Sequence, residues 1–433
     1  MRDIHETASF GMGERWGSGT NETGVRRLSL TDDDKNIRTW FAKTMKDLGC
    51  RVDVDSMGAP GTVQRSPIFA ASHLDTQPTG GRYDGVLGDL AGVEVIRTLN
   101  DHGIQTHCPI GVVNWTNEEG ARFPISMCSS GVWAESTPES KPHSTKSVMP
   151  NDKGVNMRSK LQRIGCLGNT PCTYRKTPMS AHFELHIEQA PLLEADKRQI
   201  GVVRGVQGYR WYEISVFGQG SHTGATSFRY RANPLLAASK IILASHRIAF
   251  RHNALASSGI LKLAPGSVNT VPGVVRFSLD IRAPLDETVE TVEHECKQAF
   301  AAIARGDEVR EVGSGSCPSV RQCSVSWCTE FESAATHFDE DCIDCIKEAG
   351  QQICAPDSVA PASNSDSLGH WGKYMTSGEG HDSVHTSKRC PTAMIFVPCR
   401  DGISHNPREY SSPEACDDGA NVLLGAICYL TSV

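Results

Sequence analysis

The chain has 433 residues, enough for two domains, and its 39% hydrophobic and 21% charged residues are those of an ordinary globular protein. A formal net charge of −7 with no block of Lys or Arg argues against nucleic acid or anionic membrane as the main partner. No apolar run approaches the ~18 residues of a bilayer span. Met1–Thr20 lacks the apolar core of a secretory signal, so a cytoplasmic protein with its 16 cysteines reduced is expected.

In chain order, Ile68–Ser72 reads as a short buried strand. Leu87–Asn100 has helical periodicity, with Leu87, Leu90, Ala91 and Leu99 inward and Gly103 as a stop. Ile110–Trp115 is the next strand. This β-α-β rhythm predicts a largely parallel sheet with its chemistry on loops at the strand C-termini. Ser136–Thr177 is polar, has prolines at 138, 142, 150 and 171, and reads as a surface excursion. Beyond His182–Ile187 the texture changes. Glu213–Phe217 is a strand, and Asn233-Pro234 opens a helix to about Ala249. Val274–Arg282 sets Val275, Phe277, Leu279 and Ile281 on one face and Arg276, Ser278, Asp280 and Arg282 on the other. A helix follows from Leu285 to about Ala304. Phe338–Ala355 reads as a helix with Cys342, Ile346, Ala349 and Ile353 along one face. Cys342-x-x-Cys345, with Cys317, Cys323, Cys328 and Cys354 nearby, therefore reads as packing thiols ahead of a zinc or redox site. Gly313–Ser316 is a short loop, and Met394–Val397 a late core strand. The fold class expected is α/β: a discontinuous catalytic domain (1–210 and 326–433) around a mostly parallel sheet, with an α+β domain (211–325) inserted.

Histidines and carboxylates gather just after the strands. His73-x-Asp75 has the pattern of a metal ligand followed by a carboxylate that orients it. Asp84, in Tyr83-Asp84-Gly85, is able to bridge two cations or simply to make a turn. Glu118 and Glu119 repel one another unless a cation neutralises one, leaving the other to move a proton. His186 and His405 also fall near strand ends. Together these residues supply the inventory of a two-metal hydrolase, in which paired cations polarise a carbonyl and lower the pKa of a water between them.

Ser72-His-Leu-Asp-Thr-Gln-Pro-Thr-Gly-Gly-Arg-Tyr-Asp84, Asn117-Glu-Glu-Gly-Ala-Arg-Phe123, Glu184-Leu-His-Ile-Glu-Gln189 and Ser377-Gly-Glu-Gly-His-Asp382 closely resemble the hydantoinase/carbamoylase branch of the peptidase M20 family. That branch holds N-carbamoyl-L-amino acid hydrolases, β-ureidopropionases and allantoate amidohydrolases. The resemblance implies two divalent metal ions, Zn2+ first, with Mn2+, Co2+ or Ni2+ as alternatives. Their ligands would be His73, Asp84 (bridging), Glu119, His186 and His405, with Glu118 as general base and Asp75 behind them. It further implies a ferredoxin-like inserted domain that dimerises and closes over the site. There His222 would reach the neighbouring subunit's active site and stabilise the oxyanion. Asn269 and Arg282 would grip the substrate carboxylate, and Gln189 and His381 would touch substrate. Three stretches depart from the family pattern: Gln189-Ala190-Pro191, Ala225–Phe228, and a shortened Met57–Ile68.

The implied reaction is hydrolysis of an N-carbamoyl amino acid by a homodimer acting on a small ureido acid. Allantoate hydrolysis is the nearest alternative. An M20-type dipeptidase and a catalytically inactive binding protein on the same fold are more distant ones.

Overall fold

The structure, a computed structural model, describes residues 1–58, 60–61 (backbone), 66–307, 321–355 and 368–431. Residues 59 and 62–65 of the shortened 57–68 segment, the 313–316 loop and Cys317 lie outside the described residues. The principal elements run β1 (Ile68–His73), α1 (Val86–Asp101), β2 (Ile110–Trp115), α2 (Met157–Ile164), β3 (Ala181–Ile187), β4 (Ile200–Val206), β5 (Gly208–Phe217), α3 (Pro234–Arg251), β6 (Leu255–Ser257), β7 (Leu261–Ala264), β8 (Val274–Ala283), α4 (Asp286–Arg305), β9 (Ser324–Ser333), α5 (Glu340–Cys354), β10 (Thr392–Val397) and α6 (Pro413–Thr431). Two compact units result: Met1–Gly205 with His337–Val433, and Val206–Thr336.

The first unit is built on a mixed sheet whose path runs β4–β10–β3–β1–β2. β1 pairs in parallel with β2 (Ile68↔Ile110 to His73↔Trp115) and with β3 (Ile68↔Ala181), and β10 is parallel to β3. β4 runs antiparallel to β10. Every residue of β1, β3 and β10 is buried. Burial on both faces is why β1 and β10 read as near-continuous apolar runs, whereas β3 alternates Ala181, Phe183, Leu185 and Ile187 with His182, Glu184 and His186, all of them buried. The 136–177 stretch corrects its expectation as a surface excursion. Met157, Leu161 and Ile164 lie along one face of α2 and join Trp115, Trp133 and Cys172 in a buried cluster. The prolines and polar residues there shape turns around a packed layer. Asn156 caps α2 by accepting from Ser159 N at 2.9 Å.

The second unit is antiparallel, in the order β6–β8–β5–β9, with β7 alongside β8. Its chain order is β-α-β-β-α-β, apart from the short β7. One sheet face is covered: Ile241, Ile248, Val292 and Phe300 of α3 and α4 pack with Ile214, Phe277, Leu279 and Ile281. β9 runs along β5 from Ser324↔Phe217 to Ser333↔Tyr209. The 325/326 boundary therefore falls inside a strand that belongs to this unit. In α5, Cys342, Ile346 and Ala349 are buried, and every described cysteine is a free thiol. Among the described residues no helix is long and apolar enough to cross a membrane.

Candidate metal centre

The parallel strands bring distant residues together at one sheet edge. β1 ends on His73, β3 carries His186 next to its last residue, β2 leads into Glu118 and Glu119, and the loop beyond β10 carries His405. Asp84 precedes α1. Its Oδ1 lies 3.6 Å from His73 Nε2 and 3.2 Å from His186 Nε2, and its Oδ2 lies 3.3 Å from His405 Nε2. Glu119 Oε2 is 3.4 Å from the same His405 nitrogen. Two donor sets follow, His73–Asp84–His186 and Asp84–Glu119–His405, each with ligand atoms within 4.8 Å of one another. Asp84 is common to both.

The main chain aims these rings. His73 Nδ1 meets the Asp75 carbonyl at 2.9 Å, and His186 Nδ1 meets that of Ile187 at 2.9 Å. A carbonyl only accepts, so each ring holds a proton on Nδ1 and turns Nε2 inward, the atom a cation binds. Asp75 thus orients His73 through its backbone; its carboxylate instead accepts from Glu118 N at 3.3 Å. Gly85 sits at φ +68°, where an added Cβ would fall 2.3 Å from His73 Cε1, so no larger residue fits against that ring. Asn117, Gln189 and His405 hold left-handed φ values of 57°, 59° and 54°. Each such residue costs about 1–3 kcal/mol, which the surrounding hydrogen bonds and packing must offset.

The electrostatics suit cations. Burial lowers His73 to about 4. Burial also opposes charge on His186, yet the Asp84 hydrogen bond and charge outweigh it and hold that ring at about 9. Hydrogen bonding to Asp84 raises His405 to about 9 as well. Burial opposes the Asp84 carboxylate, but His186 and His405 hold it well below the usual range. Glu118 and Glu119 are pushed well above it, first by burial and then by neighbouring carboxylates. Divalent cations would displace the imidazole protons and relieve the crowded negative charge, so the donor set fits two of them.

Three supporting residues carried no sequence signal beyond adjacency to ligands. Gln77 donates its N–H to Glu119 Oε1 at 3.1 Å and its amide to Oε2 at 2.7 Å. Glu409 Oε1 accepts from the backbone of Tyr83 and Asp84 at 2.9 and 3.0 Å. Ser404 Oγ stands 2.9 Å from Asp84 Oδ2 and 3.1 Å from Glu409 Oε2, linking the two ligand loops.

The other candidates are less central to this cluster. Gln189 directs its amide at Asp84 Oδ2, 3.0 Å away. His381 is buried edge-on against His186, with ring centroids 4.8 Å apart, and its Nε2 meets Ser377 Oγ at 3.0 Å. In the second unit, His222 and Asn269 share a short ribbon in which Thr223 N donates to Asn269 O at 2.9 Å. His222 Nδ1 accepts from the N–H groups of Gly224 and Ala225, both at 3.1 Å. Arg282 stands on the sheet face away from the helices, ion-paired to Asp280 at 2.8 Å.

Sheet and donor sets together are those of a candidate dinuclear metallohydrolase. Residues 69–428 match the model of peptidase family M20/M25/M40, and the chain belongs to that family. Within it the likeness runs to the hydantoinase/carbamoylase branch. An N-carbamoyl-L-amino-acid amidohydrolase of Rhizobium meliloti is 36% identical over 93% of this chain and 91% of its own length. An allantoate amidohydrolase of Bacillus subtilis is 28% identical over 92% and 91%. A solved hydantoinase/carbamoylase-family amidase of Burkholderia multivorans superimposes with a TM-score of 0.85 at 38% identity, covering 100% of this chain and 97% of that one.

Proposed function

We propose that the chain cleaves the ureido C–N bond of N-carbamoyl amino acids, of the L-α-amino acid or β-alanine type, to the amino acid, CO2 and ammonia. The observation that carries this reading is Asp84 shared between two histidine-containing donor sets, with Glu118 beside them 3.5 Å from His73 Nε2. His73, Asp84, Glu119, His186 and His405 would hold two divalent ions, Zn2+ first among those such donors suit, which would polarise the ureido carbonyl and acidify a water. Glu118 takes the proton of the attacking water and returns it to the departing nitrogen. Its buried, carboxylate-crowded setting favours holding that proton between the two steps. His222 presents an exposed Nε2–H, because backbone N–H groups occupy its Nδ1. That is the donor an oxyanion needs, delivered across a homodimer made by the second unit. Arg282 and Asn269 hold the substrate carboxylate, with the planar guanidinium suited to a bidentate grip. A cytoplasmic setting matches the free thiols. Allantoate is the second reading, favoured by the Bacillus subtilis relative and by being a ureido acid itself.

The test is ammonia and amine release by the metal-reconstituted protein on N-carbamoyl-L-amino acids, N-carbamoyl-β-alanine, allantoate and a dipeptide. Turnover of a ureido acid is expected, falling about 10²–10⁴-fold in Glu118→Gln with metal content kept. Preference for the dipeptide, or full activity in that variant, overturns the proposal.

A further inference from the structure

The open face of the second unit's sheet carries an aromatic cluster that the reaction above leaves without a role. On β5, Tyr209 and Trp211 project to the side away from α3 and α4, and in register across β8 stand Arg282 (opposite Tyr209) and Asp280 (opposite Trp211). Phe331 joins them only because β9 breaks register. Thr329 pairs with Tyr212, but the next pair is Phe331 with Trp211, skipping Glu330. Without that extra residue the glutamate would oppose Trp211. The bulge turns a ring onto this face in its place, a device strands use to re-aim side chains. The rings of Tyr209, Trp211 and Phe331 form a triangle with every centroid separation 5.5 Å. Arg282 Cζ lies 4.7 Å from the Tyr209 centroid, and Asp280 accepts from its Nε and Nη2 at 2.8–3.1 Å. Trp211 and Phe331 keep 43% and 45% of their surface exposed.

We propose that Tyr209, Trp211 and Phe331 form the wall that receives the substrate's side chain. Aromatic and large aliphatic N-carbamoyl-α-amino acids are then preferred over N-carbamoylglycine and N-carbamoyl-β-alanine. This inference rests on the reading that Arg282 grips the substrate carboxylate. In an α-amino acid the side chain branches one carbon from that carboxylate, within reach of rings packed against the guanidinium. Glycine and β-alanine derivatives offer no branch there. Asp280 already occupies the guanidinium edge with a carboxylate, the geometry an incoming ligand would copy. Exposed rings on that face gain most from an apolar neighbour that removes them from water.

The experiment measures calorimetric affinities of the full-length, metal-reconstituted chain carrying Glu118→Gln to stop turnover. The ligands are N-carbamoyl-L-phenylalanine and N-carbamoylglycine. Trp211→Ala and Phe331→Ala are each expected to reduce the affinity ratio of the two ligands roughly tenfold, and Trp211→Phe to restore most of it. Ratios within twofold of the parent in both alanine variants, with melting profiles unchanged, overturn the wall. An Arg282→Lys arm reports on the underlying reading separately. If it weakens both ligands equally, the carboxylate grip stands whatever the ring variants do. If it weakens neither, the grip fails and the ratio alone still decides the wall. Binding of neither ligand to the parent refutes the ureido-acid substrate class, and the wall falls with it.

Discussion

The two units present their candidate residues in opposite ways. In the first, His73, Asp84 and His186 are each at most 4% exposed, the two rings donating from Nδ1 to backbone carbonyls and Asp84 N–H to the Glu409 carboxylate, with His405 the exposed exception. In the second, His222 and Asn269 are exposed and Arg282 lies on a sheet face away from the covering helices. The centre is preorganised within one unit, whereas the substrate residues assigned to the second stand on surfaces that gain their meaning from what approaches them. Burial and strand-end placement fix His73 and His186, and Asp84 ties the exposed His405 to them; exposure in the second unit leaves freedom to select a ligand.

The strongest way to break that comparison is Asp84→Asn. Because both donor sets share this carboxylate, the bound metal should fall from two ions to fewer than one per chain and activity to background. Metal analysis by mass spectrometry checks it. Retention of both ions would mean that the bridge is not the organising ligand. Glu409→Gln probes the support one step further out. It keeps the size but removes the charge that anchors Asp84 N and meets Ser404, and metal affinity is expected to weaken roughly 10–100-fold. Competition with a chromogenic chelator reads this, and an affinity within twofold of the parent would make the carboxylate a passive filler.

On the exposed side a smaller, selective effect is expected. Arg282→Lys keeps the charge and loses the planar fork, so KM for a ureido acid should rise about tenfold with kcat nearly kept. A fall in kcat at constant KM would instead place Arg282 in the chemical step.

The same contrast explains what was legible in the sequence. β1, β2 and β10 announced themselves because strands buried on both faces are largely apolar, whereas β3 alternates buried His and Glu with apolar residues; the ligands stand at or just beyond the strand ends. The 136–177 stretch misled because its buried positions, Met157, Leu161 and Ile164, are spaced along a helix of only two turns among polar neighbours. The His73–Asp75 pairing was legible as a motif but not in its atoms, since a sequence does not distinguish a carboxylate partner from a backbone one. Gln77 and Glu409 act through hydrogen bonds to a backbone N–H or a ligand carboxylate. Neither periodicity nor composition records such contacts. The bulge at Glu330 is equally silent, because a one-residue register slip leaves no mark on an exposed strand.

The smallest effect sharpens the comparison within one strand. His182 and His186 lie four residues apart on β3, both buried, yet their environments push them in opposite directions. His186 is held at about 9 beside Asp84, whereas burial alone lowers His182 to about 3. Its ring accepts from Trp115 Nε1 at 3.5 Å and meets Ser383 Oγ at 3.5 Å, and among the described residues no carboxylate offsets the desolvation. In the unfolded chain the same histidine titrates near the usual value of roughly 6.5. Between these values the unfolded state holds a proton that the folded state refuses. The stability it supports is complete above about pH 6.5 and declines toward pH 3 by about 1.4 kcal/mol per pH unit. His73 and His385, each lowered to about 4, add slopes of the same sign. His182→Gln keeps an acceptor for Trp115 but cannot titrate. Urea unfolding at intervals from pH 7.5 to pH 5 should show a stability slope shallower by one proton's worth than in the parent. Equal slopes would mean that His182 is charged in the folded state, and that burial in this strand does not by itself separate core histidines from ligands.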